Sequence, residues 1–69
     1  MEFGISNLEF VSLKVYDVHG KEVATLVNES KPAGTYQIEW NGAGFASGVY
    51  FYELKAGDFK ATRRMLLIK

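Results

Sequence analysis

Apolar side chains take every second position in two stretches of the chain. Val11, Leu13 and Val15 alternate with Ser12, Lys14 and Tyr16, and Tyr36, Ile38 and Trp40 alternate with Thr35, Gln37 and Glu39. A period of two carried by β-branched and aromatic residues predicts strands with one buried face. No segment sustains a 3.6-residue apolar period between caps, so no helix is predicted. Asp17-Val18-His19-Gly20-Lys21 reads as a hairpin loop with Gly20 in the left-handed position. Lys31-Pro32-Ala33-Gly34 reads as a second turn, and Ala56-Gly57-Asp58-Phe59 as a two-residue hairpin with Gly57-Asp58 at its tip. The three glycines between Asn41 and Gly48 mark a longer loop. Strands are therefore expected near 9–17, 21–28, 34–40, 48–56 and 58–68, with a weaker sixth near 3–7.

If Gly57-Asp58 is the turn, the last hairpin has a definite register. Ala56 faces Phe59, Leu54 faces Ala61, Tyr52 faces Arg63 and Tyr50 faces Met65. That face is apolar except for Arg63 and is expected to be the core. The opposite face pairs Lys55 with Lys60, Glu53 with Thr62, Phe51 with Arg64 and Val49 with Leu66, and Ile68 extends it. Val49, Phe51, Leu66 and Ile68 thus form a second apolar patch, a candidate interface. The N-terminal segment, a missing strand or another molecule is expected to cover it.

Sixty-nine residues allow one small domain. With 48% hydrophobic and 23% charged residues, the chain has the composition of a folded domain rather than a disordered one. The absence of cysteine removes disulfide frameworks, thiolate metal sites and cysteine nucleophiles, and a single histidine, His19, removes His-based metal clusters within one chain. No apolar run approaches the ~20 residues of a membrane helix, and no signal peptide is visible at the N-terminus. Formal net charge is zero. Its distribution is uneven: residues 1–54 carry three basic and seven acidic side chains, residues 55–69 five basic and one acidic. Lys60, Arg63, Arg64 and Lys69 make the last strand basic, but alternation sends Arg63 and Arg64 to opposite faces, a poor geometry for tracking phosphates. Nucleic acid is therefore not the expected partner. Charges on an edge strand serve docking or protection against stray pairing.

No catalytic constellation emerges. Asp17 and His19 could be joined with Ser30 or Ser47 into a triad, but both lie in a tight turn where Asp commonly bonds the backbone. Glu39 and Glu53 resemble a glycosidase pair only in type, since both fall at outward positions of alternating strands. Gly42, Gly44 and Gly48 miss the dinucleotide-loop spacing by one residue and precede a strand rather than a helix. Trp40, Tyr36, Tyr50, Tyr52, Phe45 and Phe51 could form a sugar platform, yet a small β core needs such large side chains. The residues imply an all-β, antiparallel sandwich that is not an enzyme and needs no cofactor.

Several motifs together resemble a known family. They are Val11-Ser-Leu-Lys-Val-Tyr-Asp17 with Val18-His-Gly-Lys-Glu-Val-Ala-Thr-Leu-Val27, Pro32-Ala-Gly-Thr-Tyr with Glu39-Trp40, Ala46-Ser-Gly-Val-Tyr-Phe-Tyr52, Ala56-Gly-Asp-Phe59, and Thr62-Arg-Arg-Met-Leu-Leu-Ile-Lys69. In order and spacing the chain resembles the C-terminal sorting domain of type IX (Por) secretion, related to the immunoglobulin-like domain of flagellar-hook capping proteins. The resemblance covers residues 10–69. It implies a small immunoglobulin-like sandwich at the tail of a secreted or cell-surface protein from a Bacteroidetes-type bacterium. That tail would be read by the type IX outer-membrane machinery and then removed by a sortase-like surface peptidase. Matching positions are Asp17 and Gly20 in the first turn, Gly48 and Tyr50 in the glycine-x-tyrosine motif, and the strand from Arg63 to Lys69, with Arg63, Arg64 and Lys69 the expected recognition residues.

Residues 1–7 do not match the Asn-Pro-rich segment and first strand with which the family opens. The expected division is therefore an N-terminal extension over 1–8, either a weak strand or a sequence foreign to the domain, and an immunoglobulin-like domain over 9–69 that lacks its first strand. A missing strand would expose a sheet edge and the patch of Val49, Phe51, Leu66 and Ile68, so that a homodimer, or strand donation between copies, is expected. The rival readings are a structural or adhesive immunoglobulin-like module without an export role, and a carbohydrate-binding module.

Overall fold

The computed structural model describes residues 2–68. Six strands make up its regular structure: β1 Glu2–Ile5, β2 Glu9–Tyr16, β3 Glu22–Lys31, β4 Gly34–Gln37, β5 Gly48–Ala56 and β6 Phe59–Leu67. No helix occurs among the described residues. The strands form two antiparallel sheets, one of order β1-β4 and one of order β3-β2-β5-β6. A sheet hydrophobic on one face must bury that face against a second layer. Here the small sheet lies on one face of the large one, with Ile5 of β1 packed among Val11, Leu13, Val27 and Leu54. Phe3, Tyr36 and Ile38 add to the same core. The molecule is a small all-β sandwich.

The central strands β2 and β5 follow their alternation. Val11, Leu13 and Val15 are buried while their neighbours Ser12, Lys14 and Tyr16 are partly exposed. Leu13 lies opposite Val27 on one side and Leu54 on the other, so three strands meet at one buried row. Register shifts between β2 and β3 after Leu13 and Val15 insert extra residues into β3. Strand β3 therefore shows no clean alternation: Val23, Ala24 and Leu26 are only partly buried, and Val27 is buried.

The final hairpin has the register expected from the Gly57-Asp58 turn, from Ala56 opposite Phe59 to Val49 opposite Leu66. Gly57 has φ of 58°, and among the described residues none other than glycine has positive φ. This is the pattern of a II′ turn, whose twist matches that of the flanking strands. The first turn closes similarly, with Gly20 at φ of 80° and its N–H bonded to the Asp17 carbonyl at 3.0 Å.

Three expectations need correction. Strand β4 ends at Gln37, so Ile38 and Trp40 lead into the loop instead of continuing the strand. The inner face of β6 is not core throughout, since Phe59 is 60% exposed and Arg63 is exposed as well. The small sheet is only two strands wide, and a hollow lined by Gly4 of β1 and by Phe59, Ala61 and Arg63 of β6 lies between them. Finally, the N-terminal segment does not cover the outer patch: β1 lies on the opposite face, against the core. Leu66 and Ile68 remain 63% and 77% exposed, with Val49 and Phe51 half-buried beside them.

Candidate recognition surface

Among the described residues β6 is an edge strand, bonded to β5 on one side and to no strand on the other. Its charged side chains divide between the two faces. Lys60, Thr62, Arg64 and Leu66 share the outer face with Lys55, Glu53, Phe51 and Val49, their partners across the hairpin. Ala61, Arg63 and Met65 share the inner face with Leu54, Tyr52 and Tyr50.

The lysines near the turn are held, whereas the arginines are not. Lys55 and Lys60 face each other directly, an arrangement that like charges disfavour. Glu53 sits between them, its carboxylate 3.6 Å from Lys55 Nζ and 3.4 Å from Lys60 Nζ. Among the described residues the Arg63 side chain donates only to the neighbouring Thr62 carbonyl, at 3.3 Å. Neither Arg63 nor Arg64 has an ion-pair partner among the described residues, and both are exposed. Lys69 lies outside the described residues.

The far end of β6 rests on the long loop between β4 and β5. Trp40 packs on Phe45 with ring centroids 5.2 Å apart, and edge-on to Tyr50 at 5.1 Å. The Tyr50 hydroxyl donates to the Ala46 carbonyl at 2.7 Å. Asn41 caps the start of the loop by accepting the Ala43 N–H at 3.0 Å. Gly42 is buried against Leu67: a Cβ at that position would come within 2.7 Å of the Leu67 side chain. The loop thus supports β6 where its last residues emerge. Gly48 and Tyr50 belong to this support, as do Trp40, Gly42 and Phe45, whose part in it the sequence did not disclose. Gly42 read only as a loop residue because the close approach of Leu67 comes from a strand 25 positions away.

The other candidate chemistry is engaged in structure. The Asp17 carboxylate accepts the backbone N–H groups of His19 and Lys21, each at 2.9 Å. The Lys21 N–H above all, opposed by some desolvation and helped by the His19 N–H and the charges of both residues, holds the Asp17 carboxyl below its ordinary value of 3.8. That carboxylate closes the turn. Glu53 bridges two lysines, as above. Of the aromatics considered as a sugar platform, Tyr50 is buried, Trp40 is half-buried in its cluster, and Tyr36 stacks on Phe3 at 5.6 Å. Tyr36 also carries Lys31 Nζ 4.8 Å above its ring.

No match to the chain was found among curated proteins or among solved structures. The family model of the secretion system C-terminal sorting domain matches residues 1–69. Domains of this type IX family sit at the tail of secreted or cell-surface proteins and are the signal by which the type IX machinery exports them. An all-β sandwich whose last strand lies open at a sheet edge suits that role, and the chain belongs to the family of type IX secretion C-terminal sorting domains.

Proposed function

We propose that this sorting domain is read through β6, with the Arg63 and Arg64 guanidinium groups and the residues that follow them as the surface gripped by the export machinery. The observation that carries this reading is the contrast within the strand. Lys60 is paired with the Glu53 carboxylate, which it shares with Lys55, while Arg63 and Arg64 are exposed and have no ion-pair partner among the described residues. An exposed guanidinium offers a planar, bidentate contact to a carboxylate without first losing a partner. Gly48 and Tyr50 act indirectly, by holding the loop that supports the strand's end. After export the domain is removed by a sortase-like surface peptidase, the fate that the family resemblance implies. If two copies associate, the outer patch of Val49, Phe51, Leu66 and Ile68 is the surface they bury, and a monomeric mass in light scattering at high concentration would exclude it.

The test is a reporter fused ahead of residues 1–69 in a type IX-competent host. The fusion should reach the medium or the cell surface. Replacing both Arg63→Glu and Arg64→Glu, or removing residues 65–69, should cut export at least tenfold while the intact fusion accumulates inside. Equal export of the charge-reversed fusion would refute the reading.

A further inference from the structure

The two sheets are unequal in a way that leaves a slot. Among the described residues strand β1 pairs only with β4, and no strand of theirs lies beside its other edge. Beyond that edge lies the inner face of β6, on which Phe59 and Arg63 are exposed and Ala61 is half-buried, while Leu54 of β5 beside it is buried. Two adjoining hollows, of about 230 Å³ and about 430 Å³, run along this edge and share Gly4 and Phe59 in their walls. The slot extends from Glu2 and Arg63 at one end to Ser6, Glu9 and Asp58 at the other. Its floor is apolar. Leu54 lies opposite Ala61, whose small side chain gives the slot depth, and Phe59 stands 60% exposed beside them.

This shape fits an extended backbone. Alternate residues of β1 turn their N–H and C=O groups toward the slot, the template on which an added strand forms. The four residues of β1 correspond to ~13 Å of strand at ~3.4 Å per residue. The open edge of β6 carries Lys60, Arg63 and Arg64, the kind of charge that discourages pairing, whereas on β1 only Glu2 is charged.

A second copy does not fit. Antiparallel pairing of β1 with its own counterpart requires a two-fold axis normal to the sheet. Such an axis puts both large sheets on the same side of the joined small ones, and β5 and β6 already occupy that space. The slot admits one strand and not a sandwich. Electrostatics select the occupant further: Glu9 and Asp58 make one end acidic, and no basic residue lines that hollow.

We propose that this slot is the docking site for a single extended strand of a partner protein, hydrogen-bonded to the free edge of β1. Apolar side chains at alternate positions lie on Leu54, Phe59 and Ala61, and a basic residue lies at the Glu9–Asp58 end. The inference rests on the sorting role and gives the machinery a second contact, on the face opposite Arg64.

The test uses the same reporter joined to residues 1–69 by a Gly/Ser linker, which has no side chains to fill the slot from within the fusion. Ala61→Glu fills the floor with charge, and Asp58→Lys reverses the acidic end; both positions are solvent-accessible. Asn28→Glu, exposed on β3 at the opposite edge of the large sheet, is the control, and circular dichroism of the purified domains verifies folding. Export of the folded Ala61→Glu and Asp58→Lys fusions should fall at least tenfold, with Asn28→Glu within twofold of the parent. If the parent fusion itself stays inside, the sorting reading fails. If the parent is exported and the slot variants match it, or Asn28→Glu falls as far as they do, the slot is not a docking site. A dimeric mass of the parent domain that Ala61→Glu abolishes would assign the slot to a second copy and overturn the proposal.

Discussion

Tyr50 reaches back to Ala46: its hydroxyl donates a 2.7 Å hydrogen bond to the carbonyl four residues earlier. The ring is buried between the core and the Trp40–Phe45 pair, so one side chain ties β5, the long loop and the support of β6 together. Tyr36 repeats the device with the Pro32 carbonyl, at 2.5 Å, across the turn before β4. Tyr50→Phe keeps the ring and removes only the bond. It should cost about 1 kcal/mol, the net worth of such a bond, and lower Tm by ~4–8 °C for a domain of this size. Amide exchange at 41–48 should rise more than at the β2–β5 interface. Uniform acceleration across the domain would show that the bond does not act on the loop.

Glu53 relieves the opposition of Lys55 and Lys60. Its side chain is only 18% exposed, so its charge is better shielded from solvent than either lysine's. Glu53→Gln leaves the two ammonium groups facing each other and should destabilise the domain by ~0.5–1.5 kcal/mol in urea unfolding at low salt. Raising the ionic strength should narrow the difference, because screening weakens the lysine repulsion. A salt-independent difference would mean that packing rather than charge is lost.

Asp17 makes the first hairpin sensitive to acid. Its carboxyl titrates below 3.8 in the folded chain because the ionised form accepts two backbone N–H groups. A depressed folded value contributes stability that is fully present above the unfolded value and is lost as pH falls through the folded one. The Asp17 contribution should thus be constant from neutral pH to about pH 4 and disappear below 3.8. Asp17→Asn should flatten the acid limb of the stability curve. A carboxyl midpoint for Asp17 above 3.8 by NMR titration would contradict the hydrogen bonding seen here.

Leu13 joins three strands and is 1% exposed. Leu13→Ala should cost ~2–5 kcal/mol, against a total of roughly 3–10 kcal/mol for a chain of this length. The variant should be largely unfolded at growth temperature, and its reporter fusion should not be exported although Arg63 and Arg64 are untouched. Normal export of the unfolded variant would show that the signal is a linear sequence, not a folded surface.

The strands that alternate strictly were legible without coordinates. Val11, Leu13 and Val15 announced β2, and the Gly57-Asp58 turn set every pair of the last hairpin. Both are local facts, since side-chain direction alternates along a strand and a two-residue turn fixes register. The family was legible for a related reason: its motifs are turns and strand starts, each readable over a few residues. What tertiary structure alone decided depends on contacts between distant residues. The bulges in β3, the burial of Gly42 against Leu67, and the choice of β1 to cover the core face instead of the outer patch could not be read from spacing. The slot beside β1 belongs to the same class. Alternation says that Phe59 and Ala61 share a face with Leu54, but only the width of the opposing sheet determines whether that face is covered.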